Sequence, residues 1–492
     1  MLKRYVAPVR STLALLAALS LTACGRTAAR APESQVTARV ARIERGLLPA
    51  VRVQGRTYTP ATIDERMRAL GVPAASVAVI NDGRIEWAKA YGLADVETRR
   101  PATTSTLFQA ASISKPVAAM GTLRLVQEGR LALDEDVNAK LRSWKVPANE
   151  LTGRRPVTLR LIMTHSAGLT VHGFPGYASG AAVPTVVQLL GGEKPANTSA
   201  VRVDIEPGSR WRYSGGGTTV MQLLMTDATG EPFPSLMRRL VLGPIGMTAS
   251  TYEQPLPASR AAEAATGYRA AGRAVPGRYH AYPEMAAAGL WTTATDLARF
   301  VVEVQRSLAG ASNKVLSREM TLAMLTPGVG QHGLGPGIEG AGDSLRFGHG
   351  GANAGFRAMF TGFTTRGQGA VVMTNSDDGM ALVGEIVQAI AREYDWPGLA
   401  PRVVVPLAMS AEVMAEYAGR YAVPGRPLVL SVTVEDGRLM AKQGEGKPFE
   451  LVPTGANVFS PLVDAPPFRF ERNGAGRITT LVVGGTRLER HP

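Results

Sequence analysis

Cysteine occurs once in the 492 residues, as Cys24. That excludes an intramolecular disulfide, a zinc ribbon, and a cysteine nucleophile with an accessory cysteine. No G-x-S-x-G occurs, so a serine on the nucleophile elbow of a lipase-type hydrolase is excluded as well. Acidic residues are outnumbered, 40 against 54 Lys and Arg, for a formal charge of +14, or +11 once Lys3, Arg4 and Arg10 are set aside. The basic residues are scattered, with no run of five and no zinc-finger or RNP pattern, so nucleic acid is not an expected partner. Attraction to an anionic envelope surface is the simpler consequence. The apolar stretch 13–21 is too short to span a bilayer by itself.

What is present begins at the N-terminus. Lys3, Arg4 and Arg10 precede that apolar stretch, and Leu21-Thr22-Ala23-Cys24 closes it, the layout of a secretory signal. The last four residues resemble the lipobox of bacterial lipoproteins. The resemblance implies lipidation of Cys24, removal of residues 1–23, and a protein anchored to an envelope membrane through that lipid, facing the periplasm or exterior. Residues 24–59 read as a tether and entry segment, rich in Ala, Arg and Thr with little periodicity.

Order is expected from residue 60. Apolar runs at 75–80 and 84–88 flank Asn81-Asp82-Gly83, a hairpin signal. Helical spacing appears next at 117–128, 157–163, 218–229, 234–242 and 294–308. Strand patterns return at 344–349, 356–363 and 369–374. Strands, then helices, then strands predict an α+β domain over 60–398 whose antiparallel sheet draws on both ends of the segment. Residues 405–492 carry alternating runs with turn signals and predict a separate small β domain.

The chemistry centres on Ser112-Ile113-Ser114-Lys115. S-x-x-K puts a hydroxyl and an amine on one helical turn. A lysine can serve as base for a serine when desolvation or neighbouring positive charge lowers its pKa, and a helix N-terminus favours negative charge on the reacting oxygen. With 24 serines and 9 lysines, chance supplies roughly 0.4 such matches, so the motif gains its weight from two companions further along the chain. These are Tyr213 in Tyr213-Ser214-Gly215 and His349 in His349-Gly350-Gly351. His165 and His172 share a loop but lack a third metal ligand with matching spacing, so no metal is expected. Trp291 and Tyr177 suit a cleft wall or the core equally.

In this order the three motifs resemble those of the serine β-lactamase and penicillin-binding protein superfamily, nearest to the class C β-lactamase-like hydrolases that include esterases, D-aminopeptidases and D,D-carboxypeptidases. The likeness spans about 60–395. It implies a five-stranded antiparallel sheet flanked by helices, an all-helical subdomain, and a small C-terminal β-barrel-like domain. It implies acyl transfer without metal or cofactor on a small-molecule or peptide substrate: an ester, a D-amino-acid peptide or a β-lactam. Ser112 would be the nucleophile, with Lys115 and Tyr213 sharing proton transfer and His349 bonding the tyrosine or a substrate carboxylate. The backbone N–H groups of Ser112 and Ala352 would form the oxyanion hole, and Gly350, Gly351 and Gly215 would border the substrate. The family's Y-x-N is Y-x-G here, and His349 stands where a lysine is common. Both departures favour an esterase or peptidase over a dedicated β-lactamase. Gly215 also leaves a second expectation, a weakly catalytic envelope lipoprotein that uses the fold for binding or sensing.

Overall fold

The computed structural model describes residues 32–423, 429–444, 446–463 and 465–491. Cys24 and the signal segment lie outside the described residues.

The segment read as a tether is ordered from its first described residues. Helix α1, Glu33–Glu44, presents Val36, Val40 and Ile43 at helical spacing, with Val40 and Ile43 buried. Each buried side chain of this kind contributes on the order of 1.5–3 kcal/mol. The sequence hides this stripe because only these apolar residues interrupt an Arg- and Thr-rich stretch.

Strand β1 (Ala74–Asn81) turns into β2 (Arg84–Asp95) through Asp82 and Gly83, both at positive φ, as the Asn-Asp-Gly signal predicts. A short β3 (Arg100–Pro101) comes next. The helical middle holds α2 (Ser114–Gln127), α3 (Gly215–Thr229), α4 (Met285–Ala288) and α5 (Ala294–Leu308). The chain then returns through β4 (Gly337–Glu339), β5 (Arg346–Asn353), β6 (Phe356–Phe363), β7 (Gly369–Thr374) and α6 (Gly379–Glu393). The sheet order is β3-β2-β1-β7-β6-β5-β4, seven strands rather than the expected five. The extra two are edge strands of two and three residues, too short to leave a periodic signal.

β1 is buried on both faces, which makes the sheet the middle of three layers. Ala74, Ala78 and Ile80 face the helical region and α5, whereas Ala75, Val77 and Val79 face α1 and α6. β7 alternates likewise, with Val371 and Met373 on one side and Ala370 and Val372 on the other.

Eight strands, the first Gly419–Ala422 and the last Thr486–His491, form a closed antiparallel barrel filled by Tyr417, Tyr421, Phe459, Phe470 and aliphatic neighbours. The entry segment fastens it to the first domain: Val51–Val53 pairs in parallel with Arg402–Val404, and both pack on Val452. Arg56 adds a bidentate pair to Glu450 at 2.7 and 2.5 Å. Among the described residues no helix is long and apolar enough to cross a membrane.

Candidate active site

Ser112 lies in a one-turn 3₁₀ segment, Ala111–Ile113, that runs directly into α2. Ala111 sits at φ +50°, a left-handed conformation that costs energy for a residue with a Cβ. Ser112 is half-buried, while Lys115 on the same turn is buried. Lys115 Nζ donates to Ser112 Oγ at 3.1 Å and to the Ala287 carbonyl at 2.7 Å. The second contact comes from α4 and fixes the amine beside the hydroxyl.

Ser114, the third residue of the motif, ties the turn to its surroundings. Its hydroxyl donates to the Ala111 carbonyl at 2.5 Å and accepts from Leu290 N–H at 2.9 Å. The Tyr252 hydroxyl donates to the Ser114 carbonyl at 2.7 Å. α2 is buried on nearly every face, so the site stands on core rather than on a surface helix.

Tyr213 precedes α3, whose first residues are the glycines that read as loop in the sequence. Lys115 Nζ lies 4.9 Å from the centre of its ring. The loop is held by a residue that the sequence placed only in a loop without a metal. Buried His165 accepts the Ser214 N–H at Nδ1 (3.2 Å), its carbonyl accepts the Arg212 N–H (2.7 Å), and its ring packs 4.3 Å from that of Tyr213. His165 thus brackets Tyr213 on both sides.

β5 carries His349 to the same place. Gly351 permits the approach, because a Cβ there would come within 2.2 Å of the Ala110 carbonyl oxygen. Ala352, next in the strand, is thereby set alongside the Ser112 turn. Gly350 meets no such crowding, so Gly351 serves packing where Gly350 has room to change. His349 Nδ1 contacts the Gly350 carbonyl at 2.6 Å. A carbonyl only accepts, so Nδ1 carries the proton and Nε2 is left as an acceptor. Burial, and secondarily Lys115, lowers the pKa of His349 to about 3. A neutral ring with an open acceptor is a poor anchor for a carboxylate, the alternative role expected from the sequence, and suits a hydroxyl donor.

Gly215 has no space for a side chain. A Cβ would lie 2.8 Å from the Phe174 ring and 3.1 Å from the His172 carbonyl oxygen. Phe174 fills the volume that the family's asparagine would need. Trp291 and Tyr177 are buried in the core. His332, absent from the sequence candidates, joins the site with its ring 4.8 Å from His165 and 6.0 Å from His349. Burial lowers its pKa to about 4. Only its surroundings in the fold identify it, since it lies in a Gly-rich loop with no motif.

Glu284, immediately before α4, is fully buried with neither carboxyl oxygen hydrogen-bonded among the described residues. Burial raises its pKa to about 8. The Gln222 amide spans its flanks, donating to the Pro283 carbonyl at 3.1 Å and accepting the Ala286 N–H at 2.9 Å. Glu284 therefore sits at the root of the element whose Ala287 carbonyl holds Lys115.

A protein-family model described as Beta-lactamase matches residues 60–393. The chain belongs to this family. Its members are serine hydrolases, and the relatives of this Beta-lactamase-family chain span several activities. Esterase EstB of Burkholderia gladioli is 32% identical over 200 residues, 38% of this chain and 49% of that protein. A D-aminopeptidase of Gluconobacter oxydans is 28% identical over 183 residues, 36% of this chain and 31% of that protein. The chain thus spans half or less of the length of these curated relatives. The octameric penicillin-binding protein homologue from Pyrococcus abyssi has the same fold, with a TM-score of 0.61 at 22% identity over 87% of this chain and 98% of that one.

Proposed function

We propose that the protein hydrolyses small uncharged esters through an acyl-enzyme on Ser112. The observation that carries this is the 3.1 Å contact between Lys115 Nζ and Ser112 Oγ, with the amine fixed from behind by Ala287. Lys115 takes the Ser112 proton while Oγ adds to the ester carbonyl. The N–H groups of Ser112 and Ala352 receive the developing oxyanion. Tyr213, beside Lys115, passes the proton to the leaving oxygen, the carbonyl–oxygen bond breaks, and water releases the acyl group by the reverse route.

Two features favour an ester over a β-lactam or a C-terminal D-peptide. Phe174 fills the position from which an asparagine amide would hold a substrate amide, and the neutral His349 gives no cation for a substrate carboxylate. The likeness to an esterase supports the same reading. The site would act at a membrane surface, on a protein anchored through Cys24 and facing the periplasm or exterior. A p-nitrophenyl ester, a chromogenic cephalosporin and a D-Ala-D-Ala peptide should be turned over in that descending order; a peptide preferred over the ester would sink the esterase reading.

A further inference from the structure

Four rings form a closed circuit beside the nucleophile. Tyr213 and Trp211 have centroids 6.4 Å apart, Trp211 and His332 6.3 Å, His332 and His349 6.0 Å, and His349 and Tyr213 6.0 Å. Buried His165 lies beneath, 4.3 Å from Tyr213, 4.8 Å from His332 and 6.4 Å from Trp211. Tyr213, His332 and His349, with Gly330 and Gln331, line one end of a cleft of about 680 Å³ that runs on to Val51, Leu399 and Arg402, and Trp211 stands outside that lining. Trp211 is 41% exposed, the one aromatic ring among the exposed large apolar side chains of the described residues. The Gly330 backbone lies against it so closely that a Cβ would reach within 2.5 Å of the indole. A tryptophan braced in this way and still open to solvent offers a surface for a flat partner.

The charge around the circuit narrows the partner. Its histidines are held neutral by burial, with Lys115 lowering each further. Among the described residues the one carboxylate lining the cleft, Glu339, is paired with Arg346, so no free anion is there to hold a cation. The two guanidinium groups that line the cleft are engaged, Arg346 with Glu339 and Arg402 with the carbonyls of Pro461 and Val463. Neither is free to bind an anion. The direction of the reaction fixes which part of the substrate lies here. The proton from Ser112 must finish on the leaving oxygen, and Tyr213, which hands it over, is itself a member of the circuit. The substituent on that oxygen therefore extends from Tyr213 towards Trp211 and His332.

We propose that this aromatic circuit is the leaving-group subsite and takes an uncharged aryl alcohol, stacked on the open face of Trp211. The inference rests on the acyl-enzyme reading. The acyl–oxygen bond breaks, the Ser112 Oγ–acyl bond forms, and the aryl alcohol departs with the proton relayed through Lys115 and Tyr213. No redox partner is needed.

The test compares kcat/KM for 2-naphthyl acetate and phenyl acetate, which share an acyl group and have leaving groups of similar acidity. In the wild type the naphthyl ester should be preferred. Trp211→Ala should cut that preference roughly fivefold to tenfold, the factor for leaving about 50 Å² of aromatic surface in water instead of stacked on the indole, and Trp211→Phe should keep most of it. A preference unchanged in Trp211→Ala, or both esters slowed by the same factor, overturns the subsite. Phenyl acetate bearing a ring carboxylate should be a poorer substrate than phenyl acetate itself; a better one overturns the claim that the subsite is selective for uncharged groups. Labelling by a fluorophosphonate separates the two levels. A wild type that is not labelled defeats the hydrolase reading, whereas a labelled wild type whose preference ignores Trp211 defeats the subsite alone. If Trp211→Ala does not fold, Trp211→Met carries the same comparison.

Discussion

Replacing Glu284 by Gln should make the protein more stable in alkaline solution, by an amount the structure sets. The carboxyl is fully buried without a hydrogen-bond partner among the described residues, and its pKa rises from 4.5 to about 8. At about 1.36 kcal/mol per pKa unit, that rise amounts to about 5 kcal/mol of stability lost between the two values. The sign comes from proton binding. The folded protein holds a proton that the unfolded chain releases above pH 4.5. Stability from this group is therefore complete below pH 4.5, falls as pH rises, and levels off above about 8. Gln is neutral throughout and nearly the same shape, so it abolishes the slope. Urea denaturation of the wild type and Glu284→Gln at pH 5 and pH 9, monitored through the hydrolase domain's tryptophans, measures the difference. The variant should gain several kcal/mol at pH 9 relative to pH 5. Parallel curves at the two pH values would refute the argument and imply that Glu284 is hydrated or paired in solution. The histidines act at the opposite end. With pKa values lowered to about 4 for His332 and about 3 for His349, their contribution is complete above pH 6.5 and lost as pH falls through those values.

Two further substitutions have definite expectations. Gly215→Asn alone should lower stability by about 1–3 kcal/mol, since its side chain meets Phe174 within 2.8 Å at the first carbon. Combined with Phe174→Ala it should fold normally and acylate with a fluorescent penicillin faster than the wild type; no gain in the double variant would show that the missing amide is not what separates this site from a β-lactamase. Cys24→Ala should move the protein from the membrane to the soluble fraction of cells expressing the full chain, and retention on the membrane would defeat the lipid-anchor proposal.

Much of this architecture was legible in the sequence because the signals were local. The hairpin at Asn81-Asp82-Gly83, the strands at 356–363 and 369–374 and the helix at 294–308 each carry their own turn chemistry or periodicity. Ser112 and Lys115 were legible for the same reason, since one helical turn places them together. The features that escaped the sequence depend on contacts between distant segments. α1 reads as a tether until α6 supplies the surface for Val40 and Ile43. His165 and His332 gain their places only when two loops converge on the one that carries Trp211 and Tyr213. Gly215 reads as a lost asparagine, and only the fold reveals Phe174 standing in its volume.

The central claim is that Ser112 is the nucleophile and Lys115 its base. Intact-mass spectrometry after incubation with a fluorophosphonate, and then peptide mapping, tests it most directly. The wild type should gain one adduct, located on the peptide carrying Ser112. Ser112→Ala should gain none, and Lys115→Ala should react at least about a hundredfold more slowly. An adduct on another residue, or equal labelling of Ser112→Ala, would contradict the account.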